Sequence, residues 1–194
     1  MYSDKVSAQS RDSENMGLLL KNDFSGNIHM TGEYTDRIFK NGVLKEEIHG
    51  HNLVVEAMLP LVMSLLKNSS SMNGIQYWAV GSGSDLWSEE DIPTPSLTDT
   101  KLVDEIGRVP VQMISFYDSE AEEVTDKATN VLEIRAEFRE EDCNGVWREF
   151  GVFGGNATSN PNSGIMINKR NHPILTKTSE MLVQRVLRFT LSLV

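Results

Sequence analysis

Hydrophobic residues recur mostly at every second position along this chain, and the clearest runs lie in its second half. In "VLEIRAEF" (131–138), Leu132, Ile134, Ala136 and Phe138 fall on one side, with Glu133, Arg135 and Glu137 on the other. That alternation predicts a strand with one wet face. "EMLVQRVLRFTLSLV" (180–194) continues the pattern: Met181, Val183, Leu187, Phe189, Leu191 and Leu193 share a face that only Arg185 interrupts. The run is much longer than a usual strand of about five or six residues. An unpaired cation on such a face is costly, so Arg185 is expected to meet a carboxylate, from the acidic half of its own chain or from a neighbouring copy.

The same reading yields further elements. Two extended runs meet at Asn41-Gly42, a dipeptide that favours tight hairpin turns, so residues 27–50 are expected to form a hairpin. Apolar residues at 54, 58, 61, 62, 65 and 66 predict a helix over about 53–67, begun or kinked near Pro60. "IQYWAV" (75–80), "VPVQMISFY" (109–117) and "GIMIN" (164–168) read as strands, the second starting or lying at an edge because of Pro110. Asn144-Gly145 is read as a two-residue turn that sends "VWREFGVFGG" (146–155) back to pair on 131–138. Residues 1–25 are polar apart from "MGLLL" (16–20) and read as a flexible arm that orders against a partner. The expected fold is mainly β: an antiparallel sandwich or jelly-roll-like domain over 26–194, with one helix and an N-terminal arm.

Charge changes the picture. The chain has 28 acidic and 18 basic residues, a formal charge of −10, which argues against nucleic acid or an anionic membrane as partner. Residues 85–142 hold 17 acids and 5 bases, whereas 146–194 hold 2 acids and 6 bases. That asymmetry suits a solvated acidic face, or contacts between copies. The lone cysteine, Cys143, rules out an internal disulfide. The longest apolar segment (53–66) contains Glu56 and Pro60 and is too short to span a bilayer, so a soluble protein with no encoded route out of the cell is expected.

Each chemical candidate has a plainer reading. "GSGS" (81–84) follows a strand, as a phosphate loop would, but "DLWSEEDIPTP" follows it in place of a helix, and its acids would repel phosphate. Gly81 and Gly83 are therefore read as turn residues. Glu140, Asp142 and Asn144 begin a calcium-loop pattern that fails where Gly151 replaces the bidentate acid. His49 and His51 lie on one side of an extended chain and are the only metal candidates, with no further ligand at suitable spacing. Cys143 sits in an acidic turn that blunts a thiolate. Asp99, Asp104 and Glu105 could be paired carboxylates, but nothing places them in a cleft. No catalytic residue, cofactor or metal is assigned, and an enzyme is not expected.

One resemblance extends over residues 51–191. The succession "HNLVVEAMLPLVMSLLK", "IQYWAVGSGS", "TPSLTDTKLVDEIGR", "VLEIRAEFREEDCNGVWREFGVFGGNAT" and "GIMINKRNHPILTKTSEMLVQRVLRFTL" resembles tailed-phage tail-fibre, tail-collar and baseplate-associated structural proteins. Ser82 stands where that group has Thr, and Val152 where it has Leu. The resemblance implies a virion structural protein of a phage tail or related contractile particle, made in the host cytoplasm. Its partners would be copies of itself, expected as a trimer, and other tail proteins. In that setting Gly81, Gly83, Asn144, Gly145, Gly154, Gly155 and Arg185 are turn and assembly residues. The alternative is an adhesin module that binds a host-surface glycan, with Trp87 and Trp147 as aromatics that could stack on sugar rings, although Trp147, at the start of a strand, reads rather as core or interface.

Overall fold

The alternating runs become strands, and the chain is mainly β with a single helix among the described residues. A computed structural model describes residues 28–193 except Glu89; the expected arm at 1–25 lies outside them. Residues 30–190 form one compact unit. Residues 28–29 and 191–193 belong to a second, in which the Ser192 hydroxyl donates to the His29 carbonyl. The strands are β1 (Ile28–Lys40), β2 (Val43–Val54), β3 (Asn73–Gly81), β4 (Glu105–Pro110), β5 (Met113–Asp118), β6 (Glu123–Thr125), β7 (Val131–Phe138), β8 (Gly145–Gly155), β9 (Ile165–Lys177) and β10 (Met181–Leu193). The helix is α1 (Met58–Leu66). The strands form one ladder in the order β4-β3-β8-β9-β2-β1-β10-β7-β5-β6, antiparallel at every pairing with a recorded register.

The hairpin forms where Asn41-Gly42 predicts it, with φ of 51° and 73° at the two turn residues. β2 then serves two neighbours. Residues 43–52 pair with β1, and Leu53 and Val54 pair with β9. This pairing corrects the helix expected over 53–67, because the strand persists to Val54 and α1 starts only at Met58. Pro60 falls in the first turn, where a missing N–H costs nothing.

A second correction concerns the chain after β7. β7 pairs with β10 and β5, and β8 with β3 and β9, so Asn144-Gly145 does not close a hairpin. Residues 139–144 instead form a six-residue arch between two parts of the ladder. Cys143 takes the left-handed backbone (φ 50°), and Gly145 has φ 143°. The buried amine of Lys177 holds the arch by donating to the Arg139 carbonyl and to Asn144 Oδ1, 2.5 and 3.0 Å away.

The single strand read over 109–117 is two. At the break, the Val111 N–H donates to the Gln76 carbonyl of β3, and the next N–H, of Gln112, donates to the Arg135 carbonyl of β7. β9 also runs nine residues past Asn168, where Lys169, Asn171 and Lys177 hide its strand character because they are buried polar residues.

One core runs along the ladder from β4 to β7. Phe138 and Trp147 meet edge to face at 4.9 Å between ring centroids, and Tyr34 meets Phe150 at 5.0 Å. Trp78, Ile134, Val183 and Leu187 are fully buried in the same cluster. Each such side chain contributes about 1.5–3 kcal/mol by leaving water. Trp147, a candidate sugar platform from sequence, is therefore a core residue. Among the described residues no helix is long and apolar enough to cross a membrane.

Candidate functional site

Arg185 meets a carboxylate as its apolar surroundings demand. The partner is Asp36 of β1, at 2.8 Å, and not a residue of the acidic 85–142 half. Both side chains are buried, and the guanidinium lies 4.5 Å from the Phe150 ring and 5.0 Å from Trp147. Burial pushes the Asp36 carboxyl above its ordinary range, opposed by Arg185.

The residues that carry the resemblance turn out to brace the fold. Asp99 pairs with Lys169 at 3.3 Å, and Lys169 also approaches buried Glu149 at 3.4 Å. Glu149 in turn accepts the Asp104 N–H at 2.9 Å. Leu102 is fully buried between these polar anchors. Glu105 grips Arg108 through two bonds of 2.6 and 2.7 Å, and Arg108 lies 4.5 Å from the Phe153 ring. Asp99, Asp104 and Glu105 thus have separate partners (Lys169, the Ser82 hydroxyl and Arg108) and do not converge on a cleft.

The glycines are part of the same packing. Gly83 takes φ 70° beneath Trp87, and a side chain on Gly154 would collide with the Gly74 carbonyl. A side chain on Gly81 would come within 2.7 Å of Glu149 Oε1, and Gly155 turns the end of β8 with φ 73°. Trp87 is half-buried, with its ring over Gly83, and its carbonyl accepts from Arg148. Burial, and secondarily Asp142, pushes the Cys143 thiol up to about 11, which leaves little thiolate at neutral pH.

A groove of about 700 Å³ lies on the outward face of β2, β1, β10 and β7. His49 and His51 line it together, as their spacing requires, but each is engaged separately. His49 lies 3.0 Å from the Thr35 hydroxyl and 3.1 Å from Glu47, and His51 lies 3.8 Å from Glu33. Among the described residues no group of three or more His, Cys, Asp or Glu could hold a metal ion.

Beneath the β7 and β10 side of this groove sits Glu133, fully buried although it points away from the core. Arg135 Nε donates to one of its oxygens at 2.7 Å and Arg188 Nε to the other at 2.8 Å. The Arg188 guanidinium also stacks 3.6 Å from the Tyr117 ring. Across the groove, Arg37 donates to Glu47 at 2.6 Å, which holds that carboxyl below its usual range. The alternating pattern marks these residues as outward-facing, but not as gathered: the strands that bring them together are distant in sequence. No protein-family model matches the chain, and no curated protein matches it.

Proposed function

We propose that this protein is a non-enzymatic structural component of a phage tail or related contractile particle, working by assembly of identical copies. The observation that carries the reading is the outer face of α1. Leu59, Met63 and Leu66, at helical positions i, i+4 and i+7, are 59%, 65% and 76% exposed, and the helix contains no charged residue. A contiguous exposed apolar stripe of this kind marks a contact surface. Copies that each carry a formal charge of −10 repel one another, so an uncharged face is where two of them can meet. The use of the resemblance residues as internal braces supports the same reading, since it assigns them to holding a shape.

The test is mass in solution by sedimentation velocity. The wild type should sediment as an oligomer, with a trimer expected. Met63→Asp with Leu66→Asp should give a folded monomer with unchanged circular dichroism. A monomeric wild type at tens of micromolar (about 50 µM is ample for a specific interface), or a variant that keeps its mass, overturns the proposal. Antibody labelling of purified particles should then place the protein on the tail.

A further inference from the structure

We infer that Arg135 and Arg188, on the outward face of β7 and β10, form a docking site for the acidic turn between β5 and β6 of a second copy of this chain. The inference rests on the reading that copies assemble, and it adds a second contact made by residues outside α1. The two arginines line the groove of about 700 Å³ described above, with Gln112 and Gln184 beside them.

Charge does not balance at this point of the groove. Arg135 and Arg188 share the one carboxylate of Glu133, which is fully buried beneath them, so a single anion is matched to two cations. The other charges are engaged elsewhere. Arg185 also lines the groove, but its guanidinium turns inward to Asp36 and Phe150. Arg37 and His49 meet Glu47, Glu137 meets Arg139 at 3.5 Å, and Glu33 faces His51 at 3.8 Å. What remains over β7 and β10 is one positive charge in excess, carried by side chains that are 48% and 41% exposed. Each guanidinium is fixed by its Nε bond to Glu133 and keeps further N–H donors. A carboxylate from outside therefore meets charged donors that are already held in place.

The matching acid is at the end of the ladder. Residues 118–126 hold five acids and no base: Asp118, Glu120, Glu122, Glu123 and Asp126. β6 is the last strand of the ladder, and residues 119–124 are exposed throughout. Asp118 gives the turn a fixed shape, its Oδ1 accepting the N–H groups of Glu120 and Ala121 at 2.9 and 3.1 Å. Among the described residues Glu120, Glu122 and Glu123 have no ion-pair partner. The excess cation in the groove and the unmatched acids of the turn are thus complementary surfaces of one chain. A turn of one copy entering the groove of the next makes a head-to-tail contact. A cyclic trimer, unlike a dimer about a two-fold axis, is built from contacts of that kind.

The test joins sedimentation velocity of the full chain to a cross-link. Glu120→Lys with Glu122→Lys and Glu123→Lys should keep its circular dichroism and associate about 100-fold more weakly, the loss of two charge-assisted contacts. Arg188→Gln, which leaves Glu133 its bond from Arg135, should weaken association by about tenfold. Salt of about 1 M should weaken the wild type in the same direction. For the cross-link, Gln184→Cys and Glu120→Cys are made separately, each with Cys143→Ser. Mixed and oxidised, the two variants should join through residues 184 and 120, and neither should link alone. Wild-type mass in the folded triple-Lys variant, or no link between residues 120 and 184 in an oligomeric mixture, overturns the inference. If Met63→Asp with Leu66→Asp keeps its mass while the triple-Lys variant loses it, the α1 contact falls and this one stands. A monomeric wild type overturns both.

Discussion

His172 shows how one half-buried side chain makes the whole molecule sensitive to pH. Its Nδ1–H donates to the Pro173 carbonyl at 2.7 Å, and Nε2 is buried with no partner among the described residues. Burial, with the nearby Arg185 charge adding to it, pushes the imidazole down to about 3 from 6.5. Between those values the unfolded chain binds a proton that the folded chain refuses, so stability falls as pH drops from about 6.5 towards 3. At pH 5 the expected loss from this residue is about 2 kcal/mol. Urea titrations at pH 7 and pH 5 measure it, and His172→Phe should remove most of the difference. Arg185 makes a different prediction. Because its partner is internal, Arg185→Met should leave the mass in solution unchanged but cost about 3–5 kcal/mol, since Asp36 would remain buried and unpaired. Adding Asp36→Leu should recover most of that cost in the urea midpoint. A loss under about 1 kcal/mol for the single variant would mean that water reaches Asp36.

At the scale of elements, the arch between β7 and β8 is the informative case. Gly145 has φ 143°, and its missing Cβ would lie 3.5 Å from the Ile106 side chain. Trp147 Nε1 donates to the Cys143 carbonyl at 2.7 Å, so the backbone on either side is held. Gly145→Val should therefore cost about 2 kcal/mol, or a melting temperature lower by roughly 4–8 °C. An unchanged melting temperature would show that residue 145 is free to relax. Much at this scale was legible in the sequence: the Asn41-Gly42 hairpin, the wet and dry faces of β7, and the long apolar face of β10. Alternation names a strand's faces but not its neighbours, which is why Asn144-Gly145 was read as a turn joining paired strands. The far half of β9 was hidden for a related reason. Lys169 and Lys177 point into the molecule, and only their partners, Asp99 with Glu149 and the arch carbonyls, make that burial tolerable.

For the whole molecule, the candidate site was the least legible part. Glu133, Arg135 and Arg188 read singly as solvated residues, and the groove exists only because β1, β2, β7 and β10 are brought side by side. Trp147, which reads from sequence as core or interface, is core, whereas Trp87 is half-buried. The exposed stripe on α1 was hidden by near-uniformity, since a helix whose one polar residue is Ser64 does not say which side is covered.

The position of β10 between β1 and β7 also bears on the order in which the molecule can be made. Of the described strands a ribosome releases β1 first and β10 last, and until β10 arrives β1 and β7 each present an unpaired edge to solvent. Asp36 waits as long for its arginine. A nascent chain stalled before Met181 would have its hairpin and most of its ladder, yet neither a closed core nor a finished groove. Such a chain would be a target for chaperones and for stray strand pairing. Addition of β10 is thus the step that joins the β1 and β7 sides, and only chains that have made it present groove and core together.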